Sequence, residues 1–330
     1  MAQPAVSGTA QWLLAAASDI AARVDVLFFS LLALTGAVAI AIFVLMIVFS
    51  VRYRAGSRVD RSNPPTNVRW LELGWTFTPL AIFLGIFVWA AVVYARFYTP
   101  APDAMAIFIV GKQWMWKAEH ANGRREIDEL HLPAGQPVRL ILSTEDVIHS
   151  FFVPAFRIKQ DAVPGRYTSI SFTPTREGEY WPPMRAWSVP QYSAQCSQYS
   201  PSRVGVTDHA RMGGRVVVMA PAAFAQWLER GNSNPSLAAR GFELFRRNGC
   251  SGCHAAGSSV HAPDLAGVYG RVVHLADGRS VVADEGYLRD SILLPKRDVV
   301  AGYQPIMPSF QGQLDEGELA ALISFLKENK

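Results

Sequence analysis

The chain has little cysteine and little charge. It has 3 cysteines in 330 residues, an odd number that is too small for a disulfide scaffold. Lys and Arg outnumber Asp and Glu by 31 to 27, and this net charge of +4 is too weak and too dispersed for a nucleic-acid-binding protein. Half of the residues are hydrophobic, which excludes a disordered chain, and the length favours two or three domains.

Two long segments contain no charge at all. Residues 26–51 and 73–95 have no Asp, Glu, Lys or Arg, and each exceeds the ~20 residues that a helix needs to cross a bilayer. A pair of buried core helices is the alternative, but such helices are usually shorter and have a solvent-facing side. The sequence therefore predicts a transmembrane hairpin over residues 26–97, preceded by a tail over residues 1–25.

The charges beside these segments predict the orientation of the hairpin. The tail contains one arginine, Arg23, whereas the connection between the segments is basic. The charged residues of the connection are Arg52, Arg54, Arg58, Asp60, Arg61, Arg69 and Glu72. Basic loops remain in the cytoplasm, so the tail and the residues after 97 are predicted to be external. Glu72 immediately precedes the second segment, where a carboxylate is either solvated at the interface or functional.

Residues 98–229 are predicted to form a β-sandwich or barrel. Short branched or alternating segments at residues 105–110, 138–142 and 166–173 are separated by Gly and Pro, without a helical period. His149 by itself would be a core histidine. Soft and borderline donors follow it along the chain, however, and copper prefers such donors. They are Cys196, His209 and Met212.

Residues 250–254 read Cys-Ser-Gly-Cys-His, the attachment signal of c-type haem. The thiols of Cys250 and Cys253 can add to the two vinyl groups of one porphyrin, and His254 is placed to ligate the iron. A zinc half-site would need a second Cys/His pair, and a redox dithiol would need a βαβ setting. The sequence offers neither. Met307, which precedes a proline, is the candidate for the sixth iron ligand, and helices are predicted over residues 237–247 and 315–328.

Several motifs together resemble subunit II of the haem-copper cytochrome c oxidases over residues 26–220. In chain order they read Leu-Glu-Leu-Gly-Trp-Thr, Gly-Lys-Gln-Trp-Met-Trp, Asp-Val-Ile-His-Ser-Phe, Asp-Ala-Val-Pro-Gly-Arg and His-Ala-Arg-Met. From residue 237 onward the chain resembles a class I cytochrome c. A subunit II with a fused cytochrome c is similar to that of a caa-type terminal oxidase.

The resemblance implies a membrane-anchored, multidomain fold. It consists of a two-helix transmembrane hairpin, a cupredoxin-like β-sandwich over residues 98–229, a linker over residues 230–236 and an all-α class I cytochrome c domain over residues 237–330. It also implies a dinuclear CuA centre, with His149, Cys196, the carbonyl of Gln198, His209 and Met212 as ligands. Trp114 would be the point at which electrons enter, and Glu72 would lie at the mouth of a proton pathway.

The chain departs from this family pattern at the copper ligands. Ser200 stands where a second cysteine is expected, and Cys196 and His209 are five residues further apart than usual. Residues 181–206 also contain Pro182, Pro183, Pro190 and Pro201, although proline is confined to strand edges and bulges. Three hypotheses stay open: the centre is absent or impaired, the remaining donors bind a single copper, or the segment reflects a sequencing or reading-frame error.

The implied function is electron delivery in a proton-translocating terminal oxidase. Electrons would pass from a soluble or membrane cytochrome c to one covalent haem c, held by His254 and Met307, then to copper and to subunit I, which reduces oxygen. The expected partners are subunit I, other oxidase subunits, the cytochrome donor and membrane lipid, without nucleic acid. The expected location is a bacterial-type inner membrane. Fusion of the cytochrome c domain to subunit II would raise the effective concentration of this electron donor to about the millimolar range.

Two other functions remain open for the sequence. The subunit II of a quinol oxidase keeps the fold without copper, which would explain Ser200, but it would not need a c-type haem. A membrane-tethered electron carrier outside any oxidase is the non-enzymatic alternative. A quinol assay tests the first, and co-purification with a haem-copper subunit I tests the second.

Overall fold

The computed structural model describes residues 16–60, 62, 68–113, 115–180, 194–196, 212–230, 234–255, 258 and 260–329, the segment 194–196 by its backbone alone. The chain divides into two compact units, one of which spans residues 20–99. That unit is a helical hairpin. The other unit contains a β-sandwich and, from residue 237, a carboxyl-terminal domain built mainly of helices. This architecture is the fold class that the sequence predicts.

Two long helices form the hairpin, α1 (Asp19–Arg52) and α2 (Arg69–Tyr98). Their most apolar windows have mean hydropathies of 2.9 and 2.2, and most of their large apolar side chains are exposed. At ~1.5 Å per residue, both helices exceed the ~30 Å thickness of a hydrocarbon core. Their length and composition therefore fit two membrane spans. Glu72 lies in the first turn of α2, where its side chain is exposed.

Two mixed sheets form the sandwich. The first contains, in spatial order, β3 (Arg125–Ile127), β2 (Met115–His120), β1 (Met105–Lys112), β5 (Val138–Thr144) and β8 (Thr168–Phe172). The second contains β4 (Glu129–Pro133), β11 (Gly213–Met219), β10 (Ala194–Cys196), β6 (His149–Val153) and β7 (Ile158–Ala162), with β9 (Gly178–Tyr180) paired to β11. Alternate residues of the central strands β1 and β5, among them Ile107, Ile109 and Leu140, are fully buried in the core.

The residues that lead into α1 belong to the sandwich. The Ala17 amide donates to the Ala155 carbonyl at 2.9 Å, and the Thr175 amide donates to the Ala17 carbonyl at 2.8 Å. The buried Ser18 hydroxyl donates to the Phe156 carbonyl at 2.8 Å. Residues 16–19, which the sequence assigns to the N-terminal tail, therefore pack against the sandwich.

A buried carboxylate joins β2, β3 and β4 beneath helix α3 (Pro221–Glu229). Glu126 Oε1 accepts a hydrogen bond from His120 Nε2 at 2.8 Å, and Oε2 accepts one from His131 Nδ1. The Trp227 ring of α3 stacks on the His131 ring at 4.2 Å. Burial alone would raise the pKa of Glu126, but the hydrogen bonds from both histidines outweigh it and lower that pKa to about 2.

We expect Glu126 to make part of the fold's stability dependent on pH. Its ordinary pKa is 4.5, so its contribution is complete above that pH and is lost as the pH falls towards 2. The contribution amounts to roughly 3 kcal/mol by linkage. Glu126→Gln should lower the unfolding free energy near neutral pH by about 1–3 kcal/mol and should flatten its decline in acid.

Thermal unfolding of the detergent-solubilised chain, followed by tryptophan fluorescence at neutral and acidic pH, measures both effects of Glu126→Gln. Glu177→Gln, at an exposed carboxylate of the same domain, is the matched control and should change neither. If the stability of the Glu126→Gln chain declined in acid as steeply as that of the unchanged chain, the assignment of this pH dependence to Glu126 would be contradicted.

The carboxyl-terminal domain begins with α4 (Leu237–Arg247) and ends with α7 (Glu316–Glu328), as the sequence predicts. Between them lie α5 (Ser251–His254), a hairpin of β12 (Val272–His274) and β13 (Ser280–Val282), and α6 (Glu285–Leu293). The hairpin was not predicted. A Cβ at Gly241 of α4 would lie 2.0 Å from the Ala321 carbonyl oxygen of α7, so glycine permits the close crossing of the two helices.

Candidate functional site

A largely apolar cavity of about 400 Å³ lies inside the carboxyl-terminal domain. This volume is within the ~300–1,000 Å³ that is common for ligand and cofactor sites. Four of its lining residues are the haem-binding candidates Cys250, Cys253, His254 and Met307. The fold therefore brings together donors that are separated by more than fifty positions in the sequence.

The short helix α5 positions the two thiols of the Cys-Ser-Gly-Cys-His motif. Gly249, with φ of +75°, turns the chain after α4, so that Cys250 directly precedes α5 and Cys253 follows one helical turn later. Residues three apart on a helix face the same side. Both thiols are free and partly buried, and burial raises the pKa of Cys250. The two sulfur atoms can therefore approach one porphyrin from the same side.

The imidazole of His254 is held by the backbone. Its Nδ1 lies 2.9 Å from the Pro263 carbonyl oxygen, which can only accept a hydrogen bond, so Nδ1 carries the proton. Nε2 is then the nitrogen with a lone pair for a metal, and such a hydrogen bond raises the basicity of a metal-bound histidine. Met307 lies in the segment between α6 and α7 and offers its thioether to the same cavity. Two thiols, an imidazole and a thioether in an apolar cavity fit a c-type haem.

His149, the first copper candidate, opens strand β6 and is fully buried. Its Nε2 lies 2.8 Å from Asp146 Oδ1. Burial alone would raise the pKa of Asp146, but hydrogen bonds, first from the Gln113 amide and then from His149, hold it below its usual value. Asp146 therefore remains ionised at neutral pH and orients the His149 ring.

Two further side-chain environments restrain His149. The Trp116 ring meets the His149 ring edge-on, with 5.8 Å between the ring centres. A Cβ at Gly111, the register partner of Trp116, would lie 2.8 Å from His149 Cδ2, so the ring occupies the space that glycine leaves. Gly111 and Asp146 were not predicted from the sequence as parts of this site. An acidic residue three positions before a candidate ligand was the available signal for Asp146.

The second sheet brings three copper candidates to one edge. Cys196 ends β10 and pairs with Phe151 of β6, two residues from His149. Gln195 pairs with Gly213 of β11, directly after Met212, which is 1% exposed. The antiparallel order therefore groups the start of β6, the end of β10 and the start of β11. Gln198, Ser200, His209 and Trp114 lie outside the described residues.

The donors on these strands fit copper chemically, because imidazole, thiolate and thioether are the ligands of single-copper sites. They fit a thiolate-bridged copper pair less well. The chain has 3 cysteines, of which Cys250 and Cys253 belong to the haem motif. Cys196 is therefore the one thiolate that remains for this edge of the sheet.

Comparisons with known proteins match the sandwich and the carboxyl-terminal domain separately. The family model "Cytochrome C oxidase subunit II, periplasmic domain" matches residues 123–196, so the match ends at Cys196. The family model "Cytochrome c" matches residues 238–330. Together these segments cover most of the sandwich and nearly all of the carboxyl-terminal domain.

Similar proteins are oxidase subunits. The alternative cytochrome c oxidase subunit 2 of Bradyrhizobium diazoefficiens is 27% identical over 237 residues, which cover 61% of this chain and 77% of that protein. The cytochrome c oxidase subunit 2 of Alkalihalophilus pseudofirmus is 24% identical over 316 residues, 89% of this chain and 83% of that protein. The crystal structure of the periplasmic domain of subunit II of cytochrome oxidase of Bradyrhizobium japonicum has 25% sequence identity and a TM-score of 0.33, and covers 40% of this chain and 95% of that chain.

Proposed function

We propose that the chain is a cytochrome c oxidase subunit II with a fused cytochrome c domain. It accepts electrons at its carboxyl-terminal domain and delivers them to subunit I of a terminal respiratory oxidase. The single observation that carries this proposal is the cavity that combines Cys250, Cys253, His254 and Met307. An oxidase subunit II without a bound haem would have no use for this arrangement.

The residues of this cavity would hold one haem c covalently. A bound haem c supplies reversible one-electron chemistry. Cys250 and Cys253 would fix it through thioether bonds, and the Pro263 carbonyl keeps the His254 ring in place to bind iron through Nε2. The Met307 thioether favours a high reduction potential, as a carrier that delivers electrons to an oxidase requires. The apolar lining excludes water from the site.

For the copper site we propose one copper at most. Copper held at this edge of the second sheet would supply a further one-electron step. His149, with Nε2 engaged by Asp146, would bind through Nδ1. Cys196 and Met212 would add sulfur ligands from β10 and from the start of β11, and His209 and the Gln198 carbonyl would complete the set. Ser200, whose hydroxyl has a much higher pKa than a thiol, replaces the second bridging ligand poorly.

The hairpin and the external domain define where the chain acts. We propose that the two apolar helices anchor the chain in a membrane, and the similarity of the sandwich to a periplasmic domain supports redox sites on the external side. We propose a bacterial inner membrane, a soluble or membrane cytochrome c as donor, and surrounding lipid and other oxidase subunits as partners. Trp114 is the proposed point of electron uptake by the copper site, and Glu72 the proposed mouth of a proton pathway in the assembled complex.

Purification of the tagged chain from membranes tests this function. We expect a haem-copper subunit I to co-purify and the complex to consume oxygen with reduced cytochrome c as donor. Oxygen consumption with a quinol and none with cytochrome c would instead favour a quinol oxidase subunit. Absence of any haem-copper subunit from the purified material would contradict a role in an oxidase.

A further inference from the structure

The outer face of the first sheet is apolar where such faces are usually solvated. Phe108 of β1 and Ile141 of β5 are register partners, so their side chains share one face, and they are 5% and 1% exposed. They form a single apolar cluster with residues of the carboxyl-terminal domain. Those residues are Leu237, Leu244, Ala320, Ala321 and Leu322, from α4 and α7. The two helices therefore cover this face.

Tyr167, immediately before β8, extends the same face. Its ring lies 6.2 Å from the Phe108 ring, and the Arg289 guanidinium of α6 lies 5.5 Å from its centre. Tyr167 packs against both apolar clusters of the carboxyl-terminal domain. We call Phe108, Ile141 and Tyr167 the docking face. Large, aromatic and largely buried residues of this kind are typical of the centre of permanent interfaces.

Charged contacts surround the docking face. Three of them join the sandwich to the carboxyl-terminal domain: Arg240 with Glu119 at 2.5 and 3.2 Å, Arg139 with Glu285 at 3.1 Å, and Arg289 with the Gly165 carbonyl at 2.5 Å. Arg289 and Glu285 are each 3% exposed. A shift of one domain against the other would break all three contacts at once. Glu285 and Arg289 would keep Lys327 and Glu316, their partners inside the carboxyl-terminal domain, but the Arg139–Glu285 and Arg240–Glu119 pairs would be lost. These contacts favour one orientation of the two domains.

The connection between the domains is held as well. The Leu237 amide donates a hydrogen bond of 3.0 Å to the Ala121 carbonyl, which lies in the turn between β2 and β3. A Cβ at Gly123 would lie 2.1 Å from the Pro235 carbonyl oxygen, so the end of the connection runs directly across this turn. Arg124 donates to the Trp227 and Arg230 carbonyls at 2.8 and 2.7 Å, where the connection begins. Both ends of the predicted linker are attached to the sandwich.

The same interface supports the haem cavity. Phe245, Ile292, Leu314 and Leu322 line the cavity, and all four also belong to or pack against the cluster that contains Phe108 and Ile141. One wall of the cavity is therefore backed by the sandwich. Separation of the domains would expose that wall to water.

From these contacts we propose that the carboxyl-terminal domain is permanently docked on the sandwich, through the docking face, rather than attached by a mobile tether. Domains joined by small polar interfaces move relative to each other by default, whereas a buried apolar interface restrains such motion. On the function proposed above, electrons then pass between the two domains at a fixed separation, without a docking step. The docking itself does not depend on that function.

Cleavage of the linker tests the proposal directly. A protease recognition sequence is inserted within residues 231–233 of the full, haem-loaded chain, which is then cleaved in detergent and passed over a column that retains the membrane-anchored part. We expect more than nine-tenths of the haem-bearing fragment to be retained. Release of that fragment on cleavage would overturn permanent docking. The readout requires no electron transfer, so a failure of the proposed function would be seen separately.

Substitutions on the first sheet identify the surface. Tyr167→Asp places a charge on the docking face, whereas Ile127→Asp places one on β3 of the same sheet, at a side chain that is 62% exposed. After cleavage, Tyr167→Asp should release at least about ten times more haem-bearing fragment than Ile127→Asp. The visible spectrum of the haem in the uncleaved Tyr167→Asp chain should also change, because the cavity wall loses its support. Equal retention and equal spectra in the two variants would overturn the assignment.

Discussion

Replacement of both Cys250 and Cys253 by alanine is expected to leave the chain without covalently bound porphyrin, against one porphyrin per chain in the unchanged protein. Both thiols face the cavity that His254 and Met307 share, and the chain's other cysteine is on a strand of the sandwich. Thioether bonds survive denaturation, whereas axial ligation does not. A haem stain of the denatured chain and the pyridine haemochrome spectrum measure the loss.

The third cysteine provides the control for the haem prediction. Cys196→Ala removes a thiol at the end of β10 and should keep the full amount of covalent porphyrin. Oxygen consumption with reduced cytochrome c should fall to background in the double variant, because electrons can no longer enter through the carboxyl-terminal domain. Undiminished covalent porphyrin in the double variant would contradict the assignment of Cys250 and Cys253.

Local sequence was sufficient to predict the haem candidates, because their chemistry depends on neighbouring residues. Two thiols and an imidazole within five positions define the motif on their own, and the turn at Gly249 with the short helix α5 presents them as the motif requires. Met307, which lines the same cavity, was predicted as an iron ligand from its place before a proline and the last helix. The contact of the Pro263 carbonyl with His254 could not be predicted from the sequence, because it depends on how the loop after His254 folds back.

The copper candidates could be predicted only as a set of donors. That β10 lies between β6 and β11, and so brings Cys196 and Met212 to the same edge as His149, is a property of the sheet order. No local pattern specifies that order. Asp146 had a local signal, three positions before His149, but the contact of Gly111 with the His149 ring depends on how β1 is placed against the start of β6.

The docking face left a signal in the sequence that was not used. Residues 106–110 of β1 read Ala-Ile-Phe-Ile-Val, an uninterrupted apolar run. A strand with one face in water should alternate, so such a run indicates that both faces are buried. Ile107 and Ile109 account for the sandwich core, and Phe108 is explained only by the helices that cover the other face. The pairing of Arg139 with Glu285, by contrast, joins residues too distant in sequence to be predicted together.

Copper analysis of the purified chain is expected to give no more than one copper per chain, and no spin-resonance signal of a mixed-valence copper pair. A thiolate-bridged copper pair needs two thiolates, whereas Cys196 alone remains if Cys250 and Cys253 hold porphyrin. His149→Ala should remove the copper, because the buried imidazole that Asp146 orients is lost. Metal content and the spin-resonance spectrum of the detergent-solubilised chain measure both results.

His274→Ala is the matched control for the copper prediction, since it removes an exposed imidazole from the β12–β13 hairpin and should leave the copper content unchanged. Two coppers per chain with a mixed-valence signal would contradict the single-copper proposal and would show that Ser200 or another group substitutes for the missing thiolate. One copper that persists in His149→Ala would place the metal elsewhere. Copper lost from His149→Ala and kept in His274→Ala, with covalent porphyrin equal in both, would assign the metal to the edge formed by β6, β10 and β11.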